Sequence, residues 1–474
     1  MNLWVYIITP AITAVAVYII GRYKPRMTGK IACAVLGAGV LSALGQLPVY
    51  RTLVMSAQKM TDAAAKGEVL SFLMTLSVYV TGFAVALFAY LDEPKNTKRR
   101  FLFVLILLTV SAIAATANAK DLPALIVCTE TVTLLSCLLA SLDDTKRGIV
   151  AALKSYLLSM PGMALIITGA ALAAFYCGGT SFEHIRTAVQ NGNQGVGLAA
   201  ALLLCGYAMR AGILPFHGNL PELYSSTRGA VAAFLACAGM RTAGIYALLI
   251  LTPLFMGFKS GAVNNTLIGF GVCSLAAAAL MAITKHDMNK LLTYAGISQT
   301  GYILIAAGIA TPLALAGAVF QLFAETAAET VLYLNSAVIE KQTGTRDIAD
   351  LGGLRRKMPW TAGTTLTAAL SLAGLPPLAG FWGQFVIIFA LWKHGGGLYI
   401  AGTFLGLVLT FAYIMSAYRK IFHGNTPFTL ENATEPRGGL LIPSIVISAI
   451  LIIMGLYFPQ IFTQLMEPGV KAFL

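Results

Sequence analysis

Gly212-Ile-Leu-Pro215-Phe-His217-Gly-Asn-Leu-Pro221 interrupts an apolar run over 196–224, and Gly374-Leu-Pro376-Pro377-Leu-Ala-Gly380 interrupts another over 359–393. A proline inside a helix removes a backbone hydrogen bond and clashes with the carbonyl of the preceding turn. In a bilayer the groups it frees must meet protein or water, because lipid offers them nothing. Both runs are long enough to cross a membrane, so each reads as a broken spanning helix. Pro215 and Pro376 stand 161 residues apart, and the apolar runs beginning near 101 and 262 share that offset. Five runs fall in each unit of that length, and an odd number inserts the second unit upside down. The pattern predicts two inverted five-helix repeats with a broken helix in each, a common transporter plan.

Composition points the same way. Of 474 residues, 58% are hydrophobic and only 11% charged, with a mean hydropathy of +0.79. So few charges cannot cover the surface of a soluble chain of this size, which excludes a soluble enzyme, a disordered chain and a coiled coil. The fold class is an all-α polytopic membrane protein. Apolar runs occur at about 2–21, 28–46, 69–91, 101–117, 121–141, 148–176, 196–224, 228–252, 262–284, 287–308, 312–340, 359–393, 398–422 and 438–460, which makes about fourteen transmembrane helices. The chain divides into 1–100 (helices one to three), 101–252 (first repeat, helices four to eight), 262–422 (second repeat, helices nine to thirteen) and 438–474 (helix fourteen and tail).

The loop cations fix an orientation. Loops after odd-numbered runs hold 21 Lys and Arg, and the opposite loops with the C-terminal tail hold 8. Cations collect in cytoplasmic loops, so both termini are expected outside. The net charge of +13 is read as that bias, not as a nucleic-acid surface. The first run lacks a cleavage-site pattern and is expected to be retained. The seven cysteines form no C-x-x-C and read as small buried residues.

Three cations, Lys154, Arg210 and Arg241, remain inside the runs, with three carboxylates, Glu130, Glu325 and Glu329. Ionisable groups at this depth are costly and mark ion paths. At an effective dielectric of about 20, unit charges ~8 Å apart interact by about 2 kcal/mol. One charge change can therefore gate its neighbour.

Arg210-Ala-Gly-Ile-Leu-Pro-Phe-His217-Gly-Asn-Leu-Pro-Glu222 resembles the broken-helix motif K-x-P-x-x-P-x-H-x-W-L-P-D/E of the antiporter-like membrane subunits shared by respiratory complex I, Mrp cation/proton antiporters and membrane-bound group 4 hydrogenases. The segment Asp287–Tyr302 resembles the same family's D-I-K-R-L-L-A-Y-S-S-I-S-H-x-G-Y, and Arg346–Leu354 and Ser371–Phe385 also look like family motifs. The resemblance covers helices seven to thirteen; helices one to three carry no recognised motif. It implies fourteen core helices, two inverted units and a chain of charged residues at mid-membrane.

By position Glu130 resembles the family's helix-five glutamate. Arg210 and Arg241 stand where the family usually has the helix-seven and helix-eight lysines. Lysine can lose its proton when buried, whereas arginine keeps its charge. Each arginine is either a fixed charge that tunes a carboxylate or a structural salt bridge. Lys154, in Ala-Ala-Leu-Lys-Ser-Tyr, is a relay residue or a snorkelling one. His217, after the break, carries protons or satisfies freed backbone. Gln299 and Glu325 replace frequent histidines, and Gln384 replaces the Lys or Glu usual in the second broken helix. Glu329 follows Glu325 by four residues and shares its helix face. The pair either passes a proton, binds a cation or joins two helices.

The resemblance implies an ion-translocating (H+ or Na+) subunit of a multi-subunit redox-driven complex, hydrogenase- or complex I-like. The alternatives are a structural subunit with impaired conduction and a subunit of an Mrp-type Na+/H+ antiporter. No phosphate loop, dinucleotide motif or metal-ligand spacing occurs, so the chain is expected to carry no cofactor of its own and to hold no redox centre. Iron–sulfur clusters, with Ni-Fe or quinone, would belong to partners: further antiporter-like and small hydrophobic subunits and a peripheral redox arm. The expected site is a prokaryotic cell (inner) membrane.

Overall fold

The computed structural model describes residues 4–57, 63–92, 99–142, 145–193, 195–227, 229–255, 261–436 and 439–461. These residues are helical apart from connections, 3-10 turns and two isolated β-bridges. In chain order the helices are α1 (Trp4–Tyr23), α2 (Pro25–Ala57), α3 (Ala63–Leu91), α4 (Arg99–Ala117), α5 (Leu122–Ala140), α6 (Lys146–Cys177), α7 (Phe182–Gln190), α8 (Val196–Arg210), α9 (Leu220–Ser226), α10 (Gly229–Ala238), α11 (Met240–Leu254), α12 (Gly261–Ile283), α13 (Met288–Ile309), α14 (Pro312–Thr343), α15 (Pro359–Leu372), α16 (Ala379–His394), α17 (Gly397–Phe422) and α18 (Ile442–Leu456). Among the described residues ten stretches are long and apolar enough to cross a membrane. The chain is an integral membrane protein.

Its core lies where the apolar runs are buried all round. The stretch Gly229–Leu254, which comprises α10 and α11, is wholly enclosed, and α14 nearly so. By contrast α1, α2, α6 and α17 bury about a quarter of their length or less, and turn Ile, Leu, Val and Phe side chains outward. That outer face suits lipid, which is as apolar as leucine. Association of such helices depends on close packing rather than on water exclusion. Glycines supply it: a Cβ on Gly206 of α8 would lie 2.8 Å from the Gly162 carbonyl of α6, and one on Gly301 of α13 would lie 2.6 Å from the Gly271 carbonyl of α12.

Local chemistry recurs along the chain. Asp121 caps α5 by accepting from the Ala124 amide at 2.7 Å, and Asp287 caps α13 by accepting from the Lys290 amide at 2.9 Å. Such caps satisfy an amide the helix leaves free. The two bridges join Asp121 to Ser181 and Asp287 to Asp347, each member of the second standing 166 residues after its counterpart. The broken helices match likewise. Gly212 (φ 73°) and Gly374 (φ 69°) both hold the left-handed conformation that glycine adopts without strain, and cis prolines follow at Leu214-Pro215 and Pro376-Pro377.

The runs 196–224 and 359–393 are each two helices, as their prolines require. Several other boundaries differ from the sequence reading. The run 28–46 extends over Pro25–Ala57. The run 228–252 is divided at Gly239 into α10 and α11, although no proline marks the division. A Cβ on Gly239 would collide with the Leu235 carbonyl, so a contact the sequence does not display requires that glycine. The short α7, with Ile185 and Val189 buried, has no counterpart among the apolar runs, because nine amphipathic residues lie below the length of a span. The cysteines are less buried than expected: Cys237 is buried, Cys273 is exposed, and the other five are intermediate. Lys59, Lys95, Lys98, Arg228, Lys259, Arg437 and Lys471 of the charge count, and the tail beyond 461, lie outside the described residues.

Candidate functional site

The intramembrane charges form two separate clusters. In the first, Arg210 ends α8 immediately before the break. Its Nη2 forms an ion pair with Glu130 of α5, its Nη1 donates to Thr133 Oγ1 at 2.9 Å, and Met163 of α6 lies 3.8 Å from Nη2. Thr133 in turn donates to the Thr129 carbonyl at 3.0 Å. A cation at the C-terminal end of a half-helix also faces the unpaired carbonyls there. The Arg210 side chain is 2% exposed and that of Glu130 is 21%. The pair therefore sits at the edge of the bundle, with the carboxylate on the outer side.

The second cluster is fully enclosed and joins α11 to α13 and α14. Arg241 lies in the first turn of α11, beside the break at Gly239. Its Nη1 donates to Glu325 Oε1 at 2.7 Å and to Thr300 Oγ1 of α13 at 3.1 Å, and its Nη2 pairs with Glu329. Nη2 also approaches the Ala236 carbonyl of α10 at 3.3 Å. Both carboxylates belong to α14, four residues apart on one face. With both ionised, the cluster carries one excess negative charge, and one proton or one monovalent cation makes it neutral. Glu325 Oε2 is buried and unpartnered, which leaves an open position for that proton. The approach depends on Gly296, where a Cβ would collide with Glu329 Oε1 and lie 2.7 Å from Arg241 Nη1.

The second break holds amides instead of charges. Gln299 of α13 and Gln384 of α16 both donate to the Leu372 carbonyl, at 3.0 Å each. Gln299 Oε1 accepts from Gln321 Nε2 at 3.0 Å and from Gln384 Nε2 at 3.1 Å. Leu372 is the last residue of α15, so these amides satisfy a carbonyl that the break frees. At the same point Ser371 Oγ accepts from the Gly380 amide at 3.1 Å. In the first break, the Leu214 amide donates to Ser274 of α12 at 3.0 Å.

The remaining candidates are less enclosed. Lys154 of α6 pairs with Glu222 of α9 at 2.7 Å, both side chains about half exposed. His217 lies in the 3-10 turn after the break, with its ring centroid 5.8 Å from that of Tyr294 and its Nδ1 buried without a partner. Pro215, Pro376 and Pro377 occupy the breaks, as expected. The structure thus groups Glu130 with Arg210; Arg241 with Glu325 and Glu329; and Gln299 with Gln384. Glu325 and Glu329 share one face of α14, as their spacing predicts, and the Arg241 guanidinium donates a hydrogen bond to each. Sequence reasoning missed Gln321, Thr133 and Thr300, neutral residues on apolar helices that no charge pattern flags. It also missed four buried tyrosines, Tyr207, Tyr224, Tyr302 and Tyr413. No group of three or more His, Cys, Asp or Glu side chains converges as a metal site among the described residues.

A polytopic helical bundle with broken helices and buried, oppositely charged clusters is a plan found among ion-transporting membrane proteins. The chain belongs to the NADH:quinone oxidoreductase/Mrp antiporter transmembrane family, whose sequence profile matches residues 119–410. It is 26% identical over 413 residues to a Na(+)/H(+) antiporter subunit of Alkalihalophilus pseudofirmus, covering 85% of this chain and 83% of that one. It is 27% identical over 349 residues to an NADH-quinone oxidoreductase subunit of Desulforudis audaxviator, covering 68% and 67%. Its fold is similar to a chain of the Mrp complex from a Dietzia species, with a TM-score of 0.85, 21% identity, and coverage of 100% and 98%. It is also similar to a chain of the membrane-bound sulfane sulfur reductase, an archaeal respiratory membrane complex, with a TM-score of 0.85, 18% identity, and coverage of 99% and 97%.

Proposed function

We propose that the chain moves H+ or Na+ across a prokaryotic cell membrane as one subunit of a multi-subunit, redox-driven complex. The observation that carries this reading is the enclosed Arg241–Glu325–Glu329 cluster. A buried charge group with an unpaired carboxylate oxygen is costly to keep, and it is one proton short of neutrality. Arg241 keeps its charge, so the moving proton belongs to the carboxylates. Arg210 plays the corresponding part for Glu130 in the other half. Lys154, His217 and the glutamines would line the approaches.

Fourteen crossings in two inverted units fit the repeated features, offset by 166 residues at the bridges and by 162 at Gly212 and Gly374. The cation bias of the loops favours both termini outside. Partner membrane subunits are favoured by the solved neighbours, which are chains of larger complexes. Iron–sulfur clusters and a nickel or quinone site would lie in those partners and a peripheral arm.

The test is to express Glu130→Gln and Glu329→Gln in the native complex and measure ions moved per turnover in proteoliposomes. Reduced pumping in an assembled complex is the expected result; unchanged stoichiometry in both variants would overturn the reading. A second reading, a structural subunit with impaired conduction, is favoured by the neutral Gln299–Gln321–Gln384 cluster, which cannot titrate. It would leave pumping untouched in those variants and lose assembly instead. An Mrp-type Na+/H+ antiporter is favoured by the likeness to the Alkalihalophilus pseudofirmus antiporter chain, and would show transport without any redox partner.

A further inference from the structure

An open cavity of about 510 Å³ lies between the α12–α13 connection, the turn after α14 and the C-terminal part of α17. That is the size of a small-ligand pocket. Lys285, His286 and Lys420 stand at its wall, and Ile283, Leu291 and Leu351 give it an apolar side. Among the described residues that line it, none is acidic. Lys285 rests over the Tyr294 ring at 5.0 Å, a cation–π contact that holds the ammonium in place without cancelling its charge. The acids on the neighbouring turns are engaged elsewhere. Asp287 caps α13 and faces Arg346 at 3.8 Å, Asp347 accepts from the Ala349 amide at 2.9 Å, and Asp350 lies 3.5 Å from Thr345 Oγ1.

The surroundings are cationic as well. The connections at this end of the bundle, 284–290, 340–357 and 419–424, hold nine Lys and Arg against four Asp and Glu. A cleft lined by one sign of charge between low-dielectric walls focuses the field inside it, so the occupant this cavity suits is an anion. Its mouth continues into an apolar face. Ile283 of α12 and Ala412 of α17 line the cavity and are exposed. Along the same faces Leu280 of α12 and Val408 and Leu405 of α17 also turn outward. The two helices meet directly, since a Cβ on Gly406 of α17 would collide with Leu275 of α12. An anionic head and apolar chains are thus accommodated side by side.

We propose that this cavity seats the headgroup of an anionic phospholipid, with Lys285 and Lys420 holding the phosphate oxygens and the acyl chains lying along the outward α12–α17 seam. His286 offers a further donor. The loop cations favour this end of the bundle as the cytoplasmic one, and basic pockets between spanning helices on that side suit anionic headgroups. A lipid in this place ties the end of α17 to the α12–α13 connection, two segments that carry its two lysines. The assignment requires only that the chain lies in a membrane. It does not depend on which ion the protein moves.

The experiment places the intact complex in nanodiscs doped with phosphatidylglycerol that carries a photoreactive group near its glycerol, and maps the labelled peptides by mass spectrometry. Phosphatidylcholine with the same group, which has no net charge, is the comparison. The expected result is labelling of 280–286 and 405–420 by phosphatidylglycerol in preference to phosphatidylcholine. That labelling should fall about fivefold for each lysine removed in Lys285→Gln and Lys420→Gln, the worth of one cation near an anionic lipid. Equal labelling by the two lipids, or labelling that survives both substitutions together, overturns the site. Inorganic phosphate added at constant ionic strength separates the two sources of the anion. Labelling that persists supports the lipid, and labelling that phosphate abolishes overturns it in favour of a free anion. Should the double variant not assemble, the preference between the two lipids and the phosphate competition are decided on the wild-type complex alone.

Discussion

The guanidinium of Arg241, on α11, donates to Glu325 Oε1 of α14 at 2.7 Å and thereby fastens the two helices to each other. All three charged side chains of this cluster are 5% exposed or less. Removing one partner of a buried pair leaves an uncompensated charge and costs about 3–5 kcal/mol. Arg241→Ala should therefore deplete the assembled protein, read as the yield and thermal unfolding of the purified complex. Arg241→Lys keeps the charge but lacks the fork that reaches both carboxylates. It should assemble and pump less. An Arg241→Ala protein as stable as wild type would show that the cluster does not hold α11 to α14.

Gly296 tests the same cluster from the other side. A methyl here collides with Glu329 Oε1 and meets Arg241 Nη1 at 2.7 Å, so the carboxylate must move. Overpacking of this kind costs about 1–3 kcal/mol. Gly296→Ala should lower the midpoint of thermal unfolding and reduce ion movement, although no charge has changed. Unaltered pumping would mean that the Arg241–Glu329 contact is dispensable.

These residues show how far the sequence could be read. Pro215 and Pro376 announced the two breaks because proline's loss of a hydrogen bond is a local, covalent fact. The charges were legible as a set because a carboxylate within an apolar run stands out by composition. Their pairing was not legible. Arg241 and Glu325 are 84 residues apart, and which helix faces meet is decided by packing, not by hydropathy. The same reason hid Gln321, whose side chain is ordinary on a membrane helix and becomes notable only through the partner it has. The division at Gly239 was invisible because its cause is a tight approach to the Leu235 carbonyl.

The glutamine cluster makes an asymmetric prediction. Gln384 Nε2 faces two acceptors, the Leu372 carbonyl and Gln299 Oε1. A side chain that only donates suits this place, and one that only accepts does not. Gln384→Lys should therefore be better tolerated than Gln384→Glu, which places an ionised carboxylate against two oxygens and leaves them unsatisfied, at about 1–3 kcal/mol or more. Thermal unfolding of the two purified variants gives the order directly. The reverse order would mean that the amide oxygen, not the amide nitrogen, is what this position contributes.

Lys154 and Arg210 separate the effect of burial from that of charge. Lys154 and Glu222 are ion-paired at 2.7 Å with side chains 50% and 52% exposed, whereas the Arg210 side chain is 2% exposed. An exposed pair contributes roughly 0.2–1 kcal/mol, because water already solvates both ions and salt screens them. Lys154→Gln should therefore shift thermal unfolding little, and added salt should erase what difference there is. Arg210→Gln leaves Glu130 without its cation and Thr133 without its donor, and should destabilise the protein by several-fold more, with little response to salt. Equal losses in the two variants would mean that Lys154 is enclosed in the assembled complex, with a neighbouring subunit covering the α6–α9 surface.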